Sequence, residues 1–178
     1  MFEKSEGGHN GERIVRVGTH TGQNNLPSRI NEHFLVENKD RSIFRKSIGR
    51  AILHKRRDPF LTSWDICLTT KKAREEYGET IDLEYQKSVE QEVSEYIQHN
   101  FSFCVVGDVK SKAERLFLES ALVSTISLCS ACGPSTHWLG NNSPKAKIAK
   151  SGMWQVVGLY KQPFDVEGCD AFLTQFSN

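Results

Sequence analysis

The chain has 178 residues, 38% hydrophobic and 25% charged with a formal net charge of +1, which fits one domain (1–178) with a real core and is too short for two of ordinary size. No apolar run approaches the roughly twenty residues that span a bilayer, and polar, acidic residues 1–11 lack the basic start and apolar stretch of a secretory signal, so a soluble, cytoplasmic protein is expected. Five cysteines, an odd number scattered among apolar segments (Cys67, Cys104) and element ends, suit reduced thiols rather than a disulfide framework.

In chain order, Arg13–Gly18 is β-branched and alternates polar with apolar, so it reads as a strand after a Gly/His/Asn turn at Gly7–Gly11. Its hairpin partner is Met1–Ser5, short for a strand. After a polar loop over 19–25, Leu26–Leu35 has Leu26, Ile30 and Phe34 at helical spacing, with Pro27 tolerated in a first turn. A second helix is expected from Arg41 to about His54, with Phe44, Ile48, Ala51 and Ile52 as its apolar stripe and Lys55, Arg56 and Arg57 as a basic tail. Trp64–Leu68 fits a short strand. Leu83–Gln98 carries Val89, Val93 and Tyr96/Ile97 at helical spacing, and Phe101–Val106 reads as a buried strand. A further helix is expected over Ser111–Cys129, then a Pro-marked loop at Gly140–Pro144, a strand-like Trp154–Tyr160 and a short helix near Cys169–Phe176. The part between about 40 and 100 reads as a helical insertion.

Charge is unevenly spread: residues 1–60 hold twelve Lys/Arg against seven Asp/Glu, whereas residues 75–100 hold eight acidic residues and one lysine. The basic side is where a phosphate backbone would be attracted. The acidic helix either has a solvated face or covers a basic surface, of its own chain or of a partner.

Arg29 and His33, four apart, share one side of their helix and border its apolar stripe; such a pair serves a cleft or an ordinary solvated helix edge. Glu119 projects among Leu116, Leu122, Val123 and Ile126, and a carboxylate there needs a partner. That partner is either Arg115, one turn earlier, or a divalent cation, for which carboxylate oxygen is a natural hard ligand. Cys129-x-x-Cys132, with His137 five residues on, lacks the second cysteine pair that would mark a zinc site. No phosphate loop of Walker or dinucleotide type and no GxSxG elbow is present, which excludes those enzyme classes.

The order of these pieces resembles the GIY-YIG nuclease domain: Arg16-Val-Gly18 on a strand, Arg29-x-x-x-His33 on the next helix, Glu119 on a later helix, then Asn141/Asn142 in a loop. The stretches Arg13–His20, Ser28–His33, Ser42–Leu53, Leu118–Ser127, Trp138–Asn141 and Ser151–Trp154 look like a bacterial subgroup of that family. The resemblance covers most of the chain from Arg13 onward.

It implies an α+β fold with a small antiparallel sheet of about three strands flanked by helices. It implies a phosphodiester-cleaving site in which Glu119 holds Mg2+ (or Mn2+), Arg29 neutralises phosphate charge, His33 assists proton transfer or positions water, and Asn142 or Asn141 hydrogen-bonds near the metal or substrate. DNA is the implied partner, met by Arg16, Arg41, Arg45, Lys46, Arg50, Lys55, Arg56 and Arg57.

Two departures concern tyrosine. Arg16 stands where the family's second motif opens with Tyr, and no tyrosine precedes Tyr77 although the first motif's tyrosine belongs on the first strand. Either the chain starts inside that strand or another base acts, and His20, just after Gly18, is the nearest substitute, unless it is simply a loop histidine. The alternative function is a catalytically impaired binding module on the same scaffold.

Overall fold

In the computed structural model the described residues are 1–9, 11–20, 25–107, 109 and 111–176, the side chains of 173, 175 and 176 excepted. Asn10 of the expected turn and residues 21–24 of the expected polar loop lie outside them.

Three strands, β1 (Phe2–Gly8), β2 (Gly11–Ile14) and β3 (Phe101–Ser102), form an antiparallel sheet in the order β2-β1-β3. The expected α+β class and three-stranded sheet are what the structure has. β1 is longer than expected and central. Its register against β2 jumps from Phe2↔Ile14 to Gly7↔Glu12, so four residues of β1 face one of β2. Ser5 takes φ 70° in this bulge. Residues three apart on a regular strand face opposite sides; the bulge lets Glu3 and Glu6 both turn inward, 3% and 5% exposed.

Each carboxylate meets donors there. Trp138 Nε1 and Trp154 Nε1 donate to Glu3 Oε2 at 2.7 and 2.8 Å, and the Tyr96 hydroxyl donates to Glu3 Oε1. Arg13 pairs with Glu6 at 2.6 Å, and Ser135 donates to Glu6 from both its hydroxyl and its backbone N–H. Buried polar groups satisfied in this way fix the sheet against the segment around 135–154.

The helices are α1 (Leu26–Phe34), α2 (Ile43–Lys55), α3 (Leu61–Asp65), α4 (Lys71–Tyr77), α5 (Leu83–Asn100), α6 (Lys112–Leu128), α7 (Ala146–Ser151) and α8 (Val166–Phe176), with a 3-10 turn at Leu139–Asn142. Ser42, Asp82 and Ser111 cap α2, α5 and α6, each accepting the backbone N–H three residues on. Among the described residues no helix is long and apolar enough to cross a membrane.

α2 runs through the middle of the core. Its expected stripe, Phe44, Ile48, Ala51 and Ile52, is buried against Val15, Trp64, Val89, Val93, Ile97 and Phe101. Gly49 is the close-approach point, because a Cβ there would overlap the Trp64 indole. Every residue from Phe44 to Leu53 is buried.

Three sequence expectations are corrected. Trp64 lies in α3, not a strand, with its indole N–H donating to the Lys46 carbonyl at 3.0 Å. The strand expected to reach Val106 pairs only at Phe101 and Ser102; residues 103–106, Cys104 included, lie exposed beyond the ladder. Trp154–Tyr160 forms turns, with positive φ at Gly158 and Tyr160, and adds no strand to the sheet; Trp154 anchors it, through its backbone N–H to the Val15 carbonyl at 2.7 Å and its indole N–H to Glu3 of β1.

Candidate active site

The segment that continues β2 places the first group. Val15 is tied to Trp154, Val17 N–H donates to Gln155 Oε1 at 3.0 Å, and Arg16 between them turns inward. Its Nη1 donates to the Trp154 carbonyl at 2.8 Å, and the guanidinium lies over the Phe44 ring, 5.1 Å from its centroid. Arg16 Nε is buried with no acceptor among the described residues.

α1 supplies Arg29 and His33. The Leu26/Ile30/Phe34 stripe is only half-buried, and His33 is the buried residue of this helix. Its ring meets Phe44 edge-on at 5.7 Å, and Nδ1 hydrogen-bonds Ser42 Oγ at 2.7 Å, the hydroxyl that also caps α2. Arg29, still reached by solvent, pairs with Glu32 and leans toward the Arg41 carbonyl at 3.4 Å.

α6 supplies Glu119, half-buried, with the Thr19 backbone N–H bonding its carboxylate. Arg115, the alternative partner, instead donates from Nε to the His20 carbonyl at 3.3 Å.

These groups sense one another. Burial holds Arg16 down to about 10, Glu119 working against that depression and Arg29 with it. Burial lowers His33 to about 3, reinforced by the positive fields of Arg16, Arg29 and Arg45. Burial raises Glu119 above the usual carboxylate range, while Arg16 and the Thr19 N–H pull it back. The result is the Glu119 carboxylate and a neutral His33 imidazole set among the guanidinium groups of Arg16, Arg29 and Arg45, of which Arg29 also pairs with Glu32 and Arg45 with Glu90. Such a cluster suits a polyanion with a cation beside it.

Other expected residues lie elsewhere. Asn142 is at the far end of α2, where its carbonyl meets His54 Nδ1 at 2.8 Å. Ser42 and His54 are twelve residues apart on that helix, about 18 Å at 1.5 Å per residue. Asn141 Nδ2 donates to the Ser135 carbonyl at 2.8 Å. His20 follows Thr19 directly, so its backbone passes beside Glu119.

The basic segment divides in two. Arg45, Lys46 and Arg50 are buried on α2 and engaged by internal carboxylates: Glu90 at 2.8 Å, Asp40 at 3.2 Å and Asp65 at 2.5 Å. α2 is enclosed on every side, so its polar face meets acidic residues of its own chain rather than water. Glu90 and Glu92, from the acidic α5, cover part of that basic surface, Glu92 pairing with Arg56 at 2.8 Å. Arg41, Lys55, Arg56 and Arg57 are exposed.

Sequence reading missed that Ser42 bonds His33; the Ser cap ahead of α2 was its only signal.

A family model described as a GIY-YIG domain matches residues 1–178, the whole chain. No curated protein and no solved structure matches it.

Proposed function

Because the chain belongs to the GIY-YIG domain family, we propose that it is a divalent-metal-dependent endonuclease that hydrolyses DNA phosphodiester bonds at the cluster of Arg16, Arg29, His33 and Glu119. The observation that carries this reading is the half-buried Glu119 carboxylate in the field of Arg16, whose buried guanidinium is also felt by His33 and senses Arg29.

Magnesium or manganese held by a single carboxylate keeps most of its shell as water and substrate phosphate. Glu119 offers that one hard oxygen, and among the described residues no acidic trio surrounds it that would make a closed cage. The donor set therefore fits an open, phosphate-completed ion. When bound, the ion would polarise the scissile phosphate and ease departure of the leaving oxygen.

The chain's own groups do the rest. Arg29, the solvent-facing guanidinium, exchanges Glu32 for a phosphate oxygen and neutralises charge as it builds. Arg16 adds positive field from beneath, with its Nε lacking an acceptor among the described residues. His33 is a weak base when held neutral down to about pH 3, so its role is to fix Ser42 and the geometry of α1 rather than to carry a proton. The proton from the attacking water goes to His20, whose backbone adjoins Thr19 and so lies beside Glu119. Of the expected basic set, Arg41, Lys55 and Arg57 are the solvent-facing cations without a carboxylate partner among the described residues, left to meet the DNA backbone.

The test is nicking of supercoiled plasmid with Mg2+ or Mn2+ by the chain and by Glu119→Gln. Cleavage by the first and none by the second, with DNA binding retained in both, is expected. No cleavage with either metal, and binding indifferent to Glu119→Gln, would assign a binding module instead.

A further inference from the structure

The tip of the β1–β2 hairpin and the turn that follows α6 bring together three residues far apart in sequence: His9, Cys129 and Cys132. One ligand atom of each lies within 4.8 Å of the other two, and His9 Nε2 is 3.2 Å from Cys129 Sγ. We infer that these three residues form a zinc site that ties the hairpin to the C-terminal end of α6, with water in the fourth position.

The donor set selects the metal class. Two thiolates and an imidazole are borderline-soft ligands that suit zinc and reject magnesium or calcium. Bond lengths of roughly 2.3 Å to sulfur and 2.0–2.1 Å to nitrogen in a tetrahedron put ligand atoms about 3.5–3.8 Å apart. The separations at this site, from 3.2 Å up to 4.8 Å, bracket that range, so closure around an ion needs shifts of an ångström or less.

The backbone is arranged for the approach. His9 sits at φ 47°, the left-handed region that a hairpin tip uses to turn the chain. A Cβ on neighbouring Gly8 would lie 2.8 Å from Cys132 Sγ, so the glycine is what lets this thiol reach the hairpin. His9 is exposed, leaving a path for the fourth, water ligand. His137, the histidine that sequence spacing offered to the pair, is not part of the cluster; His9, 120 residues from Cys129, takes that place. Both cysteines are free thiols.

Such a tie has a consequence for α6. Its other polar anchors run to irregular chain: Ser124 Oγ to the Gly158 carbonyl at 3.1 Å, and Phe164 and Tyr160 N–H to Thr125 and Ser127 hydroxyls at 2.9 and 3.0 Å. A zinc bridge joins this helix, which carries Glu119, to the central sheet. Because ligands must be deprotonated, loading releases protons and couples metal binding to folding of this corner.

The experiment is metal analysis of the full chain purified under reductant without chelator, followed by cobalt substitution. The expected results are about one zinc per chain and, with cobalt, the thiolate charge-transfer absorption and intense visible bands of a tetrahedral site. Cys129→Ser and Cys132→Ser lose the metal. His9→Ala, on an exposed turn, folds as judged by circular dichroism and binds zinc at least about tenfold more weakly, since even outer partners of metal ligands carry tenfold effects. The inference is overturned if the chain neither retains nor takes up zinc, if His9→Ala binds it as tightly as the parent, or if Cys129 and Cys132 form a disulfide in reductant.

Discussion

Replacing Arg45 with alanine is expected to unfold this protein more readily rather than to weaken its grip on DNA. The guanidinium has no exposed surface, and its Nε and Nη2 both donate to Glu90 Oε2, at 3.1 and 2.8 Å. Nη2 also reaches the Glu90 carbonyl at 2.9 Å and Ser94 Oγ at 2.8 Å. Truncation leaves Glu90, 3% exposed, without its counter-charge. Breaking a buried pair from one side costs about 3–5 kcal/mol, out of a total stability of order 5–15 kcal/mol. At about 2–4 °C per kcal/mol for a chain of this size, thermal melts followed by circular dichroism should drop by roughly 6–20 °C. The double change Arg45→Met with Glu90→Leu removes both charges and should recover most of the loss. Lys55→Ala with Arg57→Ala, both exposed, should leave the melt nearly unchanged while reducing the slope of log affinity against log salt by about two. An Arg45→Ala protein that melts normally yet loses DNA binding would refute the reasoning, because Arg45 would then be a phosphate contact.

Three further outcomes follow from the site and core. His33 is neutral in the fold down to about 3 but takes a proton near its ordinary value of 6.5 when unfolded, so stability is full above 6.5 and falls as pH drops toward 3; denaturant titrations over about pH 7 to 5 should show this slope, and His33→Gln should flatten it. Glu119 is raised by burial, and protons compete with the metal, so metal affinity should fall on acidification at a higher pH than for an ordinary glutamate; an acid limb at the usual carboxylate position would argue against burial as the cause. Gly49→Ala gains up to about 1 kcal/mol of helix propensity but overlaps Trp64, which is fully buried and cannot yield, so a net loss of about 1–3 kcal/mol in urea denaturation is expected.

The long elements were legible because each carries its own signal. α2, α5 and α6 follow runs of apolar residues at helical spacing, and the hairpin follows from a β-branched run beyond a glycine-rich turn, although β2 (Gly11–Ile14) shares only Arg13 and Ile14 with the expected strand Arg13–Gly18. α3, α4 and α7, of five, seven and six residues, were not read, since helices that short are formed by tertiary packing rather than propensity. β3 was overread for the converse reason: Phe103 to Val106 have strand-like residues but no neighbouring strand to bond.

At the site, the sequence by itself determined the residue types and their order: Arg16, the Arg29–His33 pair and Glu119, separated by elements that a small α+β domain must fold together. It also fixed that Glu119 lies on an apolar arc and needs a partner. Tertiary structure alone decided that this partner is the field of Arg16 and the Thr19 N–H, that His33 is buried and neutral, that Asn142 sits at the opposite end of α2, and that His9 joins Cys129 and Cys132. It also decided which of the basic residues face water. The spacing along a helix says which side chains share a face, but only the packing of α5 and α3 around α2 turned Arg45, Lys46 and Arg50 inward onto Glu90, Asp40 and Asp65. Burial and counter-charge are properties of what surrounds a helix, and sequence periodicity does not encode them.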